Sequence, residues 1–316
     1  MKYGVFGAIF WALGTVISSI ALSNEAFMAT PAIIASAAFI SAFLHDASSA
    51  IYMFTYMGIK RRISDTIQSL KTKPGRYVIF AAILGGPLGM SGYMIAINNI
   101  GPSYTAAISA FYPAVGALFS CLFLKEKMKA HQWIGLFVCL AAVAVFGYTP
   151  ASDIPGSWLI GILGALICVL GWASEAVIVS YGFRSGEVDN EIALHIRQTV
   201  SAIVYAAVIL PVFGAWESTA QIIGTNAFWI AILAGAAGTI SYIFYYKGIS
   251  KIGAARGMAI NITYSAWAIP ISTVLVGTMP DVRGVICALA IFAGSVFAAT
   301  PDMRDLLPDS CRKETR

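Results

Sequence analysis

The chain has 316 residues, 59% of them hydrophobic and 11% charged, with a net charge of +5. A soluble domain carries about 25% charged residues, so this composition excludes a water-soluble enzyme and leaves no room for a separate soluble domain. Four of the five cysteines (Cys121, Cys139, Cys168, Cys287) fall in apolar runs and Cys311 in a polar tail, with no metal-ligand or disulfide spacing.

A membrane-crossing helix needs about 20 apolar residues. Ten segments qualify in chain order: 3–22, 31–57, 77–98, 103–124, 131–148, 157–181, 191–214, 226–247, 254–279 and 282–300. The expected fold is therefore all-α and polytopic, with short loops and the function inside the helices. Met1-Lys2, an apolar run and Ala21-Leu22-Ser23 resemble a signal peptide. That run exceeds the usual 7–15 residues of a signal core, so an uncleaved first span is expected.

The basic residues set the orientation. Eighteen Lys and Arg fall in the loops of one side or at the termini, only Arg283 falls in the opposite loops, and Arg197 lies within the seventh span. Positive loops stay cytoplasmic. Both termini are expected in the cytoplasm of a bacterium, with the chain in its inner membrane. The positive charge is thus no sign of nucleic-acid binding.

The chain also repeats itself. A shift of 157 places Gly4, Gly7, Ala8, Leu13 and Gly14 on Gly161, Gly164, Ala165, Leu170 and Gly171. A shift of 152 places Gly86, Tyr93, Ile100, Gly101 and Tyr112 on Gly238, Tyr245, Ile252, Gly253 and Tyr264. Each half holds five spans, so the second half enters from the other side. The expectation is a five-plus-five inverted repeat: residues 1–150, residues 151–302 and a cytoplasmic tail, 303–316. Secondary transporters of this plan bind substrate near the midplane between halves.

Few polar residues interrupt the spans. They are His45 and Asp46 (span 2), Glu175 (span 6), His195, Arg197 and Gln198 (span 7) and Asn261 (span 9). A carboxylate at that depth is costly and marks a functional site by default. Arg197 is expected to pair with Glu175 or with Asp46, either tying helices together or leaving a carboxylate for substrate. Cys168, Trp172 and Glu175 share one helix face at i, i+4 and i+7, and their mates Trp11, Thr15 and Ser18 share another. If the two faces meet, Trp11, Trp172 and Glu175 surround one cavity. Trp133, Trp158 and Trp229 lie near span ends, as interfacial aromatics do, whereas Trp11, Trp172, Tyr264 and Trp267 lie nearer mid-span. Gly85-Gly86-Pro87, Pro113 and Pro270 are expected to interrupt helical bonding at depth. No enzyme motif is present.

The words Gly7-Ala8-Ile9-Phe10-Trp11-Ala12-Leu13-Gly14, His45-Asp46, Gly86-Pro87-Leu88-Gly89-Met90, Tyr112-Pro113, Gly171-Trp172-Ala173-Ser174-Glu175, Arg197-Gln198, Ile240-Ser241-Tyr242 and Asn261-Ile262-Thr263-Tyr264 with Trp267 resemble the drug/metabolite transporter superfamily. The resemblance is to its EamA type, and within that to LicB-type bacterial choline permeases. It implies import of choline, or a close quaternary amine, by alternating access, with proton coupling and no cofactor. A single chain in the bilayer suffices for this. The alternative within the superfamily is export of amino acids or related small metabolites. Carried over by position, the substrate site comprises Trp11, Trp172, Glu175, Tyr264, Tyr242, Asn261, Met90, Gln198 and Trp267. Glu175, Asp46 and His45 are the proton-coupling candidates. The sequence departs from the family pattern around Ser91 and Tyr93, on the third span.

Overall fold

A computed structural model describes residues 2–109, 111–147, 157–277, 279 and 281–302. The expected boundary between halves at 150/151 and the tail from 303 onward lie outside the described residues. Every regular element among the described residues is helical.

The chain starts with α1 (Lys2–Leu22) and α2 (Pro31–Ile59). Thr30 begins α2: its hydroxyl accepts from the Ile33 N–H, and Pro31 supplies a preset φ and no orphan donor. A short α3 (Ile63–Ser69) leads to α4 (Lys73–Ile83), which continues through a π-helical turn at Leu84–Leu88 into α5 (Gly89–Ser109). Next come α6 (Tyr112–Phe123) and α7 (Ala130–Gly147).

After the undescribed residues 148–156 the chain forms α8 (Trp158–Phe183) and α9 (Asn190–Val204). A second π-helical turn, Tyr205–Ile209, joins α9 to α10 (Leu210–Val212). A short α11 (Trp216–Ile222) precedes α12 (Asn226–Ile252). The chain then runs through α13 (Ala254–Asn261), α14 (Tyr264–Val276) and α15 (Val282–Ala299). Eight helical segments are long and apolar enough to cross a membrane, and Tyr112–Phe123 and Ala130–Val145 are shorter apolar helices. The protein is a multi-pass membrane protein.

Two expected boundaries move. The expected spans 77–98 and 103–124 part at 99–102, yet α5 stays helical to Ser109 and α6 begins at Tyr112. Asn99, a turn former by type, instead donates to the Ile95 carbonyl (2.8 Å) and accepts from the Ser157 N–H (3.1 Å). The expected span 254–279 divides at Ile262–Thr263. The Gly85-Gly86-Pro87 interruption takes the form of the π turn. Proline lacks an N–H and crowds the carbonyl four residues back, and one wider turn accommodates both. Pro113 sits in the first turn of α6, where it is tolerated, and Pro270 lies inside α14.

Packing across the molecule occurs in matched sets. Helix α1 packs along α12, and α8, which opens the second half, packs along α5. The contact of α14 with α1 has its counterpart in α6 with α8, and that of α2 with α12 in α4 with α9. Helices α2 and α9 meet each other, as do α7 and α15. Small residues allow these approaches, as expected between membrane helices. A Cβ on Gly92 would stand 2.6 Å from the Gly164 carbonyl, and one on Gly164 would stand 2.7 Å from that of Gly92. Gly135 and Gly294 are reciprocal in the same way at 2.5 and 2.6 Å.

Candidate functional site

The polar residues of four helices converge at one buried point. Arg197 of α9 is 3% exposed. Its Nε donates to Glu175 Oε1 of α8 at 3.0 Å. Its Nη1 donates to both oxygens of Asp46 on α2 (3.3 Å each) and to Gln198 Oε1 (2.7 Å). Its Nη2 donates to the Tyr242 oxygen on α12 at 3.0 Å, and the guanidinium carbon stands 4.5 Å from the centre of that ring. Tyr246, one turn along α12, donates to Glu175 Oε1 at 2.8 Å. Ser201 donates to Asp46 Oδ2, and His45 Nδ1 lies 2.9 Å from Asp46 Oδ1.

Arg197 therefore pairs with both carboxylates rather than one. Buried charges persist only when paired and hydrogen-bonded. Two carboxyl groups thus share one guanidinium.

The backbone makes room for this cluster. A Cβ on Gly85 would fall 1.7 Å from Glu175 Oε2, and one on Gly86 would fall 2.4 Å from Ser201 Oγ. Both glycines belong to the π turn. Across the site, a Cβ on Gly238 would fall 2.0 Å from His45 Nε2.

Aromatic rings stand beside the charges. Trp11 meets Tyr242 at 5.3 Å between centroids, Tyr264 at 6.5 Å and His45 at 6.0 Å, with interplanar angles of 83°, 82° and 78°. Three near-perpendicular contacts around one indole form the corner of a box. Trp172 heads a second group, 5.6 Å from both Tyr93 and Tyr112. Asn261 Nδ2 donates to the Tyr112 oxygen (3.1 Å), linking α13 to that group. Gly89 lets Trp172 approach: a Cβ there would meet the indole at 3.1 Å.

The structure gathers Trp11, Tyr242, Tyr264, His45, Asp46, Glu175 and Gln198 around Arg197 or its neighbours. Trp172 and Asn261 join through Tyr112. Met90 lies next in sequence to Gly89, which packs on Trp172. Trp267 stands apart: it packs on Phe292 of α15 at 5.0 Å and lines a separate cavity with Val5, Ile260, Thr263 and Ser295. His195 also stands apart, bonded to Thr66 Oγ1 of α3 at 3.1 Å. Ser91 is buried with no partner for its hydroxyl among the described residues, and Tyr93 forms part of the Trp172 wall.

Ser201 and the role of Tyr246 escape the sequence. A serine is unremarkable in an apolar helix, and only its placement one turn beyond Arg197 on the same face hints that it meets the same carboxylate.

Comparisons with known proteins agree with this architecture. The family model described as "EamA-like transporter family" matches residues 1–148 and 159–300. Protein LicB of Haemophilus influenzae is 31% identical over 276 residues, spanning 86% of this chain and 88% of that protein. A solved crystal structure covers 93% of this chain and 96% of its own, with a TM-score of 0.70 and 18% identity, a likeness of fold alone. EamA proteins are membrane transporters, not enzymes. This chain belongs to the EamA-like transporter family.

Proposed function

We propose that this protein imports choline, or a close quaternary amine, across the bacterial inner membrane with both termini in the cytoplasm. The observation that carries the reading is the Trp11–Tyr242–Tyr264 box beside a buried cluster of two carboxyl groups around one guanidinium. A quaternary ammonium has no N–H to donate, so hydrogen-bonding groups cannot select it. Ring faces can, at about 0.5–2 kcal/mol each. Several ring faces and a buried carboxyl group support micromolar affinity, about 8 kcal/mol, after the cost of ordering the ligand. Trp172, Tyr112 and Asn261 supply the facing wall.

An inverted repeat supports alternating access between the halves. Its support is the matched helix packing, the two sequence offsets and the two stretches matched by the family model. Glu175 and Asp46 are the carboxylates through which a proton couples to the cycle, with His45 beside Asp46. Export of an amino acid is the less favoured reading. A substrate carboxylate needs a positive partner, and the Arg197 guanidinium is already paired with both Glu175 and Asp46.

Uptake of radiolabelled choline into proteoliposomes tests the proposal, with an imposed inward proton gradient as the second arm. Saturable uptake competed by other quaternary amines is expected, and it rises with the gradient. No saturable uptake by folded protein overturns the choline assignment. Uptake indifferent to the gradient removes the proton coupling.

A further inference from the structure

The short helix α3 turns Thr66 and Ser69 inward, 6% and 5% exposed and bonded to His195 Nδ1 (3.1 Å) and to the Glu187 carbonyl (3.2 Å). Ile67 on its outward side and Leu70 just past its end are 53% and 37% exposed, beside the exposed Ser64 and Gln68. Four exposed cations flank it in sequence: Arg61, Lys71, Lys73 and Arg76. None of these four forms an ion pair with a described residue, whereas the neighbouring Lys60 and Arg62 are engaged with Glu191, Asp65 and Asp189.

We propose that α3 and its four flanking cations form a docking surface for an anionic phospholipid. The helix joins two membrane-crossing segments, which puts it at the bilayer surface. Ile67 and Leu70 then face acyl chain, while Arg61, Lys71, Lys73 and Arg76 meet the phosphate. Exposed apolar side chains flanked by unpaired cations match an amphiphile bearing a negative head. Through Thr66–His195 and Ser69–Glu187, the docked lipid bears on α9, the helix that carries Arg197. This inference is independent of the substrate assignment.

Native mass spectrometry of detergent-purified protein offered equal phosphatidylglycerol and phosphatidylcholine reads it directly. The unaltered protein is expected to retain phosphatidylglycerol at least about tenfold over phosphatidylcholine. Each Lys or Arg at an anionic surface contributes roughly a fivefold preference, so Lys71→Gln and Arg76→Gln each lower it by about that factor. The combined Arg61→Gln/Lys71→Gln/Lys73→Gln/Arg76→Gln variant abolishes it. Ile67→Ser/Leu70→Ser lowers retention of both lipids. Equal retention by the unaltered protein, or an unchanged preference in the single and combined charge variants, overturns the proposal. Displacement of the lipid by millimolar inorganic phosphate also overturns it, because the surface is then a simple anion site.

Discussion

Arg197 donates through all three guanidinium nitrogens, to Glu175, Asp46, Gln198 and Tyr242, and so fixes two carboxylates on different helices in one place. Removing one partner of a buried pair costs about 3–5 kcal/mol because the other charge is stranded. Arg197→Met is therefore expected to destabilise the fold, and Arg197→Met combined with Glu175→Gln to restore part of the loss. Thermal unfolding of the two variants and the unaltered protein checks this. Glu175→Gln alone keeps shape and removes one of the two carboxyl groups, so choline affinity is expected to fall at least about tenfold, a loss of about 1.4 kcal/mol or more. Trp11→Ala and Trp172→Ala each remove a ring and are expected to weaken binding by about 1 kcal/mol or more, as measured by choline titration. Undiminished binding in all three sinks the cation box. Gly85→Ala is a sharper probe. Its methyl has no space beside Glu175 Oε2, so transport is expected to fail while Gly248→Ala, where the nearest atom is 3.5 Å away, leaves it nearly intact.

At the scale of elements, the loop after α2 is tied to the start of α9. Arg62 bonds Asp65 (3.1 Å), Glu191 (2.8 Å) and Asp189, while Lys60 and Tyr56 bond Glu191 at 2.7 and 2.8 Å. Asp189 also caps α9, accepting from the Glu191 and Ile192 N–H groups at 2.9 Å. A second tie on the same face joins Glu126 to the Ala254 and Ala255 N–H groups, where Gly253 takes a φ of 86° that leaves no room for a side chain. Burial works against ionised Asp189, but the Ile192 N–H and the Arg62 guanidinium outweigh it and hold the carboxyl below its ordinary value. A depressed carboxyl stabilises the folded state above the unfolded value, about 3.9, and the benefit disappears as pH falls through the lower folded value. The tie is thus expected to hold from pH 5 to 8 and to open only in stronger acid. Spin labels on Ser64 and Arg184 test this. Their separation should stay constant over that range and lengthen in Arg62→Gln at every pH. An Arg62→Gln distance identical to that of the unaltered protein rejects the tie.

Across the whole molecule, the apolar segments and the buried polar cluster are legible in the sequence for one reason: charge is rare in a bilayer. His45, Asp46, Glu175, Arg197 and Gln198 stand out against apolar neighbours, and all five meet in space. What stays hidden depends on geometry that no spacing encodes. Choosing between Glu175 and Asp46 as the partner of Arg197 is a false alternative, because a planar fork reaches both. The break between the expected spans 77–98 and 103–124 does not fall at 99–102: α5 stays helical to Ser109, and Asn99 bonds back to Ile95 of its own helix. Trp267 has the right type and depth for a box wall, but α14 turns it toward Phe292.

The sum of charges at Arg197 has an electrical consequence. With Glu175 and Asp46 both ionised, Arg197 charged and His45 uncharged, a bound monovalent cation leaves the loaded site neutral, and an empty site that returns without a proton carries one negative charge through the field. An inside-negative voltage then acts on the return stroke, at most about 2.3 kcal/mol per 100 mV for a charge crossing the full field. Turnover at saturating choline is expected to rise with hyperpolarisation while half-saturation changes little. In Glu175→Gln the assignment reverses: the empty site is neutral, the loaded one is positive, and voltage acts on the inward stroke.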